Sequence, residues 1–486
     1  MARIYFLILI TQLAYNCKGD STSDFSQIKI SSDSEVNWKA VEAETTKWLS
    51  DYIKIDTINN PDLALKTGKP TGNEIDSARF LKNILDREGI PSEIIEFLPR
   101  RAVLYSKLRG NGTKKPVMLL HHMDVVPIEK TRWTIPPLSG KIENGKIYGR
   151  GALDDKGMGV MNLATYILLK RNKIPLSRDV VFLASGDEEA ASLGVRYMIE
   201  KRKSDVDVEF ILNEGSVGTI GAVKKGQILF PIQVGEKGSA WLRLEAKGVP
   251  GHGSRPPTQS LTSVQKLLRA LSRIEKKGSP IEVTPEVKKF FYELGKSQDF
   301  PNSFILKNID SKLIQRLAGG LVAKSTSMNA ILKNTISITR LEGSEKVNVI
   351  PTSAIAELDC RLLPGTDPDD FTEQIRQTID DTDITVTKFF GRAANSSPSE
   401  NELYLTIGAS IKKLHPTAVI APFLTPAQTD TAFFREIGIP SYGMIPGIFT
   451  SEEIDLIHGN DEYISIENLV NGTKIIYIAT KTVASN

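Results

Sequence analysis

Two cysteines in 486 residues exclude a disulfide-stapled fold, and they stand far apart, at Cys17 and Cys360. The chain also lacks the metalloprotease helix motif HExxH, the nucleophile elbow G-x-S-x-G and a complete phosphate-binding P-loop. Charge of one sign is not in excess, because 61 basic and 58 acidic residues leave a net charge of +3. That balance gives no electrostatic reason to expect a nucleic-acid partner. Cys360 is expected to be a small buried strand residue.

The first seventeen residues differ in character from the rest of the chain. Arg3 precedes the apolar run IYFLILITQL, and AYNC then leads into the polar stretch KGDSTSD. This order is typical of a signal segment over residues 1–17 followed by a polar tether over 18–35, and the run is too short to span a bilayer comfortably. Cys17 stands where a bacterial lipoprotein signal places its acylated cysteine, although Ala14 replaces the usual Leu three residues earlier. We therefore expect export to the cell envelope, with either a lipid anchor at Cys17 or ordinary secretion.

Short apolar runs alternate with amphipathic segments from about residue 36 onward. The runs VMLLHHMDVV, DVVFLAS and VEFILNEG are separated by segments of helical spacing such as MGVMNLATYILLKRN. Strands alternating with helices predict an α/β fold, in which a mostly parallel sheet carries helices on both faces. We assign residues 36–237 and 363–486 to this domain.

The pattern of polar and apolar residues changes near residue 238. The stretches GSAWLRLEAK, NTISITRLEG and AIAELDCRLL alternate polar and apolar residues, as strands with one solvated face do. A helix is expected around residues 260–276. We therefore predict a smaller α+β domain over residues 238–362, inserted into the first. Residues 280–330 have helical spacing interrupted by proline, and the sequence assigns them no role.

Polar residues gather where the predicted strands end, which is where ligands bind in open α/β sheets. His122 and Asp124 share one face of a strand in HHMD, and a carboxylate beside a metal-binding imidazole fixes its tautomer. Each motif alone is as typical of a turn or a buried structural residue, so it is the set that indicates a site. The other members are Asp154 in GRGALDDKG, Glu188 and Glu189 in GDEE, Glu214 in NEG and His458 in the loop DLIHGND.

One aspartate, two glutamates and two imidazoles provide nitrogen and carboxylate ligands without thiolates. This ligand set suits zinc, with cobalt or manganese as alternatives. Five ligands are too many for one catalytic zinc ion but suit two ions that share a carboxylate. Two divalent cations balance three carboxylates and one hydroxide, so the GDEE trio still has an acid that is free to act as a base.

These motifs resemble those of the co-catalytic zinc peptidases and amidohydrolases, the family of glutamate carboxypeptidase, aminoacylase and succinyl-diaminopimelate desuccinylase. The similarity is greatest to the branch of carboxypeptidase S and the N-fatty-acyl-amino-acid synthase/hydrolases. The matching stretches run in order from about residue 40 to 480: HHMDVVP, IYGRGALDDKG, GDEE, NEG, EKGS, KVNVIP, RLLPG, TDTAFF and IHG. The resemblance implies a zinc-exopeptidase-like fold with an inserted lid and dimerisation domain.

The resemblance also implies a role for each candidate residue at the centre. Asp124 orients His122, Glu188 is the general base, and the peptide bond between Asp154 and Asp155 is often cis. By this resemblance Asp154 bridges the two metal ions. Glu189 and His458 complete one metal site, and His122 and Glu214 complete the other.

The inserted domain resembles the lid of that family. His252 in GHGSRP matches the histidine that reaches the active site of a neighbouring subunit, which implies a homodimer formed through this domain. Asn348 and Arg361 match the positions that hold the carboxylate of the substrate.

The residues and the resemblance together predict a di-zinc hydrolase that cleaves the amide bond next to a free carboxylate in a small peptide or an N-acyl amino acid. Water activated by the metals attacks with Glu188 as general base. Two other interpretations stay open: a deacylase dedicated to a single biosynthetic intermediate, and a catalytically inactive metal-binding scaffold. Export argues against the first, because such intermediates are cytosolic, and the intact Glu188 argues against the second.

Overall fold

The computed structural model describes residues 24–61, 63, 66, 71–322 and 324–485. The predicted signal segment 1–17, with Cys17, and residues 18–23 of the predicted tether lie outside the described residues. No helix in the described part of the chain is long and apolar enough to cross a bilayer.

The described residues form eighteen strands in four sheets. In chain order the strands are β1 (Ser92–Leu98), β2 (Arg101–Leu108), β3 (Val117–His122), β4 (Lys141–Glu143), β5 (Lys146–Tyr148), β6 (Val180–Ser185), β7 (Phe210–Ile220), β8 (Ile228–Glu236), β9 (Gly238–Lys247), β10 (Gly251–His252), β11 (Thr335–Glu342), β12 (Val349–Ile350), β13 (Ser353–Leu362), β14 (Ile384–Arg392), β15 (Asn395–Ser396), β16 (Val419–Thr425), β17 (Ser441–Phe449) and β18 (Tyr463–Ser465). The α-helices are α1 (Trp38–Ile53), α2 (Glu74–Arg87), α3 (Lys156–Arg171), α4 (Leu193–Lys201), α5 (Lys203–Val206), α6 (Ser263–Lys277), α7 (Pro285–Lys296), α8 (Asn302–Lys307), α9 (Lys312–Ile314), α10 (Gly320–Val322), α11 (Thr326–Leu332), α12 (Pro368–Ile379), α13 (Glu402–Leu414), α14 (Thr431–Glu436), α15 (Ser451–Ile454) and α16 (Ile466–Ser485).

The largest sheet has the strand order β1-β2-β6-β3-β7-β17-β8-β15, with β16 paired to β8. Its centre is parallel, because β6, β3, β7 and β17 run in one direction, and β16 runs parallel to β8. Antiparallel pairs join β1 to β2, β2 to β6, and β8 to β7 and β15. The α/β prediction is therefore confirmed, with a mixed sheet rather than a mostly parallel one.

Both faces of this sheet are buried, which explains why its strands read as unbroken apolar runs. On β3, Val117 and Leu119 point to one face and Met118 and Leu120 to the other, since successive strand residues alternate. The first face packs against α1, α2, α3, α13 and α16, and the second against α4 and α14. The predicted helices on both faces of the sheet are confirmed.

A second sheet of four antiparallel strands, in the order β11-β13-β9-β14, forms the smaller domain. One of its faces packs against α6 and α12. On β9 the buried Ala240 and Leu242 alternate with the exposed Trp241 and Arg243, which point to the other face. This alternation is the pattern by which GSAWLRLEAK was predicted to be a strand with one solvated face.

The smaller domain extends past residue 362, where the sequence analysis ended it. Helix α12 contributes Phe371 and Ile375 to its core, and β14 pairs with β9 as far as Arg392. The predicted boundary falls short because α12 and β14 repeat the helix and strand pattern of the large domain and carry no local sign of their partners. The chain returns to the large sheet at β15.

Residues 281–333 interrupt the smaller domain and pack on the large one. Helix α7 lies against β16, and its Phe290 and Leu294 share a buried apolar cluster with Leu424 of that strand. The segment to which the sequence analysis gave no role is therefore part of the contact between the domains.

Lys237 fixes this segment at the junction of the two domains. It stands between β8 and β9, is buried, and donates from Nζ to the carbonyl oxygens of Ala330 and Lys333 at 2.8 and 2.7 Å. Burial lowers the pKa of Lys237 to about 7. The last turn of α11 is thus bound to the strand that crosses between the domains.

Candidate metal centre

The carboxyl ends of two neighbouring strands form the floor of the candidate site. Strand β3 ends at His122 and β6 ends at Ser185, and these two residues are partners in the parallel register. Asp124 and residues 186–189 therefore leave the sheet side by side, as expected for ligands at strand ends. Glu214 differs from the prediction, because it lies within β7 rather than after it.

The carboxylate of Asp154 lies between two imidazole rings. Its Oδ1 is 2.9 Å from Nε2 of His122, and its Oδ2 is 2.9 Å from Nε2 of His458. Nε2 of His458 is also 3.6 Å from Oε1 of Glu189. Ligand atoms of His122, Asp154 and Glu189 all lie within 4.8 Å of one another, and the peptide bond from Asp154 to Asp155 is cis. One carboxylate thus presents one oxygen to each imidazole, which is the arrangement that a bridging ligand requires.

The tautomer of His122 follows from its neighbours. Nδ1 lies 2.9 Å from the backbone carbonyl oxygen of Asp124, and since a carbonyl only accepts, Nδ1 donates this hydrogen bond. In the neutral ring Nε2 then keeps its lone pair and faces Asp154. The carboxylate of Asp124 is farther away, with Oδ1 3.6 Å from Nδ1. The orientation of His122 therefore comes mainly from the backbone of Asp124, whereas the prediction assigned it to the side chain.

The carboxylate of Asp124 organises the acidic loop instead. Its Oδ1 accepts from the backbone N–H of Glu188 at 3.1 Å, and its Oδ2 accepts from that of Glu189 at 3.2 Å. Asn59 adds a third donor, with Nδ2 2.9 Å from Oδ2. Burial alone would raise the pKa of Asp124, but the ring of His122 and the amide of Asn59 outweigh it and hold the pKa below its usual value. Asp124 is thus a charged acceptor that fixes the backbone of both glutamates.

Asp187, the first acid of the trio, is held by a guanidinium rather than by the imidazoles. Its backbone is left-handed, with a φ of 72°. Its Oδ1 accepts from Nη2 of Arg101 at 2.7 Å and from Nδ2 of Asn59 at 3.0 Å. The buried Arg101 also pairs with Glu74, at 2.6 Å from Nε to Oε2 and 2.7 Å from Nη2 to Oε1. Asp187 is therefore the anchor of the acidic loop.

The other two acids of the trio, Glu188 and Glu189, face the cleft between the domains. Burial raises the pKa of Glu188 well above its ordinary value, and the carboxylates of Glu189, Glu214 and Asp430 push it in the same direction. Burial also raises the pKa of Glu189, with a further contribution from Asp154. The three adjacent acids thus divide into one anchor and two groups that are available for chemistry.

Glu214 lies outside the tightest group of ligand atoms found among the described residues, but within the same acidic environment. Burial raises its pKa well above the ordinary value, and the carboxylates of Asp154 and Asp155 raise it further. Asp430, to which the sequence analysis assigned no role, is also buried here and accepts a short hydrogen bond from Oγ of Ser185. Burial raises the pKa of Asp430 to about 6. The centre therefore holds more carboxylate than predicted.

This donor set fits divalent cations. Imidazole nitrogen and carboxylate oxygen are zinc ligands, and Oε1 of Glu189 is buried without a hydrogen-bond partner in the described part of the chain. The hydrogen bond to Asp154 and the nearby carboxylate of Glu189 raise the pKa of His458 to about 10, so the centre stabilises positive charge at this point. A metal ion competes with protons for the same ligands. The acids and imidazoles described above are therefore suited to hold a divalent metal ion.

A cleft of about 900 Å³ opens between the acidic loop and the smaller domain. Its walls include Glu188 and Glu189 from the large domain, and Trp241, Arg361 and Phe390 from the smaller sheet. The structure thus places Arg361, the predicted carboxylate-binding residue, across an open cleft from the predicted base.

His252 and Asn348 lie elsewhere on the smaller domain. His252 ends β10 and Asn348 immediately precedes β12, in an exposed ribbon where the N–H of Gly253 donates to the carbonyl of Asn348 at 2.8 Å. Nδ1 of His252 is 2.7 Å from Oγ of Ser254. Neither residue lines the cleft in the described chain. Within one chain the structure therefore brings Arg361, but not His252 or Asn348, to the acidic centre.

Sequence reasoning missed the residues that support the ligands, namely Asn59, Glu74, Arg101 and Asp430. Asp430 had a signal, since it falls within the TDTAFF stretch that matches the family. The other three carry no local mark, because a charged or amide side chain is normally solvated and only the fold shows that it is buried.

Arg101 should contribute more to stability than its neighbour Arg100. Arg101→Met leaves Glu74 and Asp187 buried without their partner, and the loss of one member of a buried ion pair costs about 3–5 kcal/mol. Arg100→Met removes only an exposed pair with Asp76 and should change the free energy of unfolding by less than about 1 kcal/mol. Urea unfolding followed by circular dichroism measures both, and equal losses would contradict the anchoring of Asp187.

Comparison with known proteins agrees with the motifs. The model of Peptidase family M20/M25/M40 matches residues 118–481. The chain is 32% identical over 361 residues to an N-fatty-acyl-amino acid synthase/hydrolase of Xenopus tropicalis, covering 72% of this chain and 69% of that protein. It is 27% identical over 382 residues to a probable carboxypeptidase S-like protein of Dictyostelium discoideum, covering 77% and 73%. An M20 family metallo-carboxypeptidase from Sulfolobus solfataricus has the same fold, with a TM-score of 0.66 at 21% identity over 90% of this chain and 98% of that one. The resemblance stated from the sequence is confirmed, and the chain belongs to peptidase family M20/M25/M40.

Proposed function

We propose that this M20-family hydrolase cleaves the amide bond next to a free carboxylate in small peptides or N-acyl amino acids, with two zinc ions at its centre. The observation that carries the proposal is the carboxylate of Asp154 between two imidazoles, with Glu188 and Glu189 beside it in the cleft. The relatives support the substrate class, since one is named for N-fatty-acyl amino acids and the other as a carboxypeptidase.

Five side chains would hold the two cations, with one carboxylate shared between them. When bound, a zinc pair lowers the pKa of a water molecule and polarises the carbonyl group of the substrate. Cobalt and manganese accept the same donors, and metal analysis of the purified protein decides among the three. The residues that would hold the cations are Asp154, as the shared group, and His122, Glu189, Glu214 and His458.

Glu188 is the proposed proton carrier. Its backbone N–H is held by Asp124, and its side chain faces the cleft. Burial raises its pKa, and the carboxylates of Glu189, Glu214 and Asp430 act in the same direction. Glu188 would accept a proton from the attacking water and donate it to the leaving nitrogen.

Glu188→Gln should keep the metal and lose turnover. The amide cannot accept a proton, so kcat should fall by about 10²–10⁴-fold, whereas the zinc content should stay that of the wild type. Asp154→Ala should lose zinc as well, because its carboxylate serves both imidazoles. Glu275→Gln, on the exposed surface of α6, is the matched control and should behave as the wild type. Zinc analysis beside hydrolysis of dipeptides and N-acyl amino acids gives the answer, and near-normal turnover in Glu188→Gln would refute the assignment.

Arg361 is the candidate residue for binding the carboxylate of the substrate. It lies on β13 and faces the same cleft as Glu188. Asp359 already pairs with its Nε and Nη2 at 2.9 and 3.1 Å, and the side chain of Arg361 is 27% exposed. A substrate carboxylate would therefore meet a half-buried guanidinium that Asp359 has oriented. The contribution expected is that of a hydrogen bond to a charged group, rather than that of a fully buried ion pair.

Substrates whose carboxylate is amidated should be poor. A hydrogen bond to a charged group contributes about 1.5–3 kcal/mol, which corresponds to a roughly 10–150-fold preference in kcat/KM for the free carboxylate. Arg361→Ala should remove most of this preference. Arg243→Ala removes a guanidinium from the same face of the smaller sheet, where it pairs with Glu357, and should leave the preference intact. The test compares kcat/KM for a free and an amidated substrate in each variant, and an unchanged preference in Arg361→Ala would rule out this role.

We also propose that the chain is exported to the cell envelope. The charged start and the short apolar run of residues 1–17 support export, and Cys17 is the candidate for a lipid anchor. With an anchor, cell fractionation should find the wild type with membranes and Cys17→Ser in soluble fractions. Soluble secretion of both proteins would favour ordinary secretion, and retention of both in the cytosol would refute export.

A homodimer formed through the smaller domain would bring His252 and Asn348 to the cleft of a partner. Strand β11 lies at an edge of the smaller sheet, and its Ile338 and Leu341 are more than half exposed. Apolar side chains on an edge strand favour association with another chain. Light scattering measures the molar mass in solution, and a monomer would contradict the dimer.

A further inference from the structure

Two loops that are far apart in the sequence carry ligands at the candidate centre. Residues 149–155 lead from β5 to α3 and hold Asp154, and residues 455–462 lead from α15 to β18 and hold His458. Neither loop belongs to the large sheet. The distance between the Asp154 carboxylate and the His458 ring therefore depends on what joins the two loops to each other.

Glu462 is a buried acceptor for the first loop. Its Oε1 accepts the backbone N–H groups of Leu153 and Asp154 at 2.7 and 3.2 Å. Its Oε2 accepts the N–H of Gly151 at 3.2 Å and Nη1 of Arg150 at 2.7 Å. The carboxylate is completely buried, so these four donors take the place of water.

Arg150 connects this carboxylate to the second loop. Its Nη2 donates to the carbonyl oxygens of His458 and Gly459 at 3.1 and 2.9 Å, and its guanidinium lies 5.3 Å from the ring centre of Trp133. His458 has a φ of 59°, a left-handed conformation that non-glycine residues adopt rarely. Such a conformation persists only where its surroundings hold it, and Arg150 contacts the carbonyl of that residue directly.

We propose that Arg150 and Glu462, here called the loop clasp, are positioning residues that set the affinity of the centre for divalent cations. A continuous series of hydrogen bonds runs from the backbone N–H of Asp154 through both side chains of the clasp to the carbonyl of His458. The clasp is neutral overall, so it fixes the distance between two ligands without changing the charge of the centre. The inference rests on the proposed metal centre and is independent of which amide is cleaved.

The zinc affinity of the full-length, metal-free chain tests the clasp, measured by competition with a chromophoric chelator. Glu462→Gln keeps the shape of the side chain, but one end of the amide cannot accept. Arg150→Lys keeps the charge but lacks the planar fork that reaches both loops. Each change should raise the Kd for zinc by about 10–100-fold, as the loss of a residue that supports a metal ligand does.

Arg178→Lys is the matched control. Arg178 is as buried as Arg150 and pairs with Glu209 and Glu402 at 2.7 and 2.8 Å. It precedes β6, at the opposite end of that strand from Ser185. The control should lower the melting temperature, as Arg150→Lys also should, and leave the Kd for zinc unchanged.

Two failures can be told apart. Wild-type zinc affinity in both clasp variants would overturn the inference and leave Arg150 and Glu462 as an ordinary structural pair. A wild-type chain that binds no zinc would refute the metal centre itself. If Glu462→Gln does not fold, Arg150→Lys decides the question, because it retains the positive charge beside Glu462.

Discussion

Repulsion among buried carboxylates is the constraint on which the architecture of this centre depends. Burial and mutual proximity raise the pKa values of several acids that meet at the strand ends, and such a group takes up protons unless positive charge lies close by. The fold supplies that charge at the periphery, where Arg101 faces Asp187 and Arg150 faces Glu462. The acids nearest the imidazoles have no arginine or lysine of their own among the hydrogen bonds of the described chain. Divalent cations are the natural complement to that arrangement.

The positions of the ligands could be predicted because they follow from topology. Parallel strands end at one edge of a sheet, so the residues that follow each strand reach the same place whatever the loops between them do. His122 and Glu189 were chosen on this ground, whereas Asp154 was chosen at the entry to a helix, and the ligand atoms of all three meet within 4.8 Å. The roles of the three acids Asp187, Glu188 and Glu189 could not be predicted from topology. Three adjacent acids look alike in the sequence, and only Arg101, 86 residues before Asp187, determines which of them is anchored.

Partners that are chosen by side-chain geometry could not be predicted. Glu462 lies 311 residues after Gly151, and in the sequence it reads as a surface acid ahead of a short strand. Asp124 was predicted to act on His122 through its side chain. Instead, its backbone carbonyl accepts a hydrogen bond from the ring of His122, and its carboxylate accepts one from the backbone of Glu188. The predicted domain boundary was wrong for a related reason. The alternation of β14 shows that it is a strand and does not show that its neighbour is β9 rather than a strand of the large sheet.

The helices of residues 281–333 change the mechanics of the joint between the domains. Strand β8 runs directly into β9, and β14 returns to β15, so these two crossings alone would form a simple hinge. The inserted helices add a third support, because they leave the smaller domain, pack on β16, and are held at their end by the ammonium group of Lys237. Rotation about the hinge would have to break the two hydrogen bonds that Nζ of Lys237 donates to carbonyl oxygens, and it would expose apolar surface. These contacts therefore oppose any change in the width of the cleft between Arg361 and Glu188.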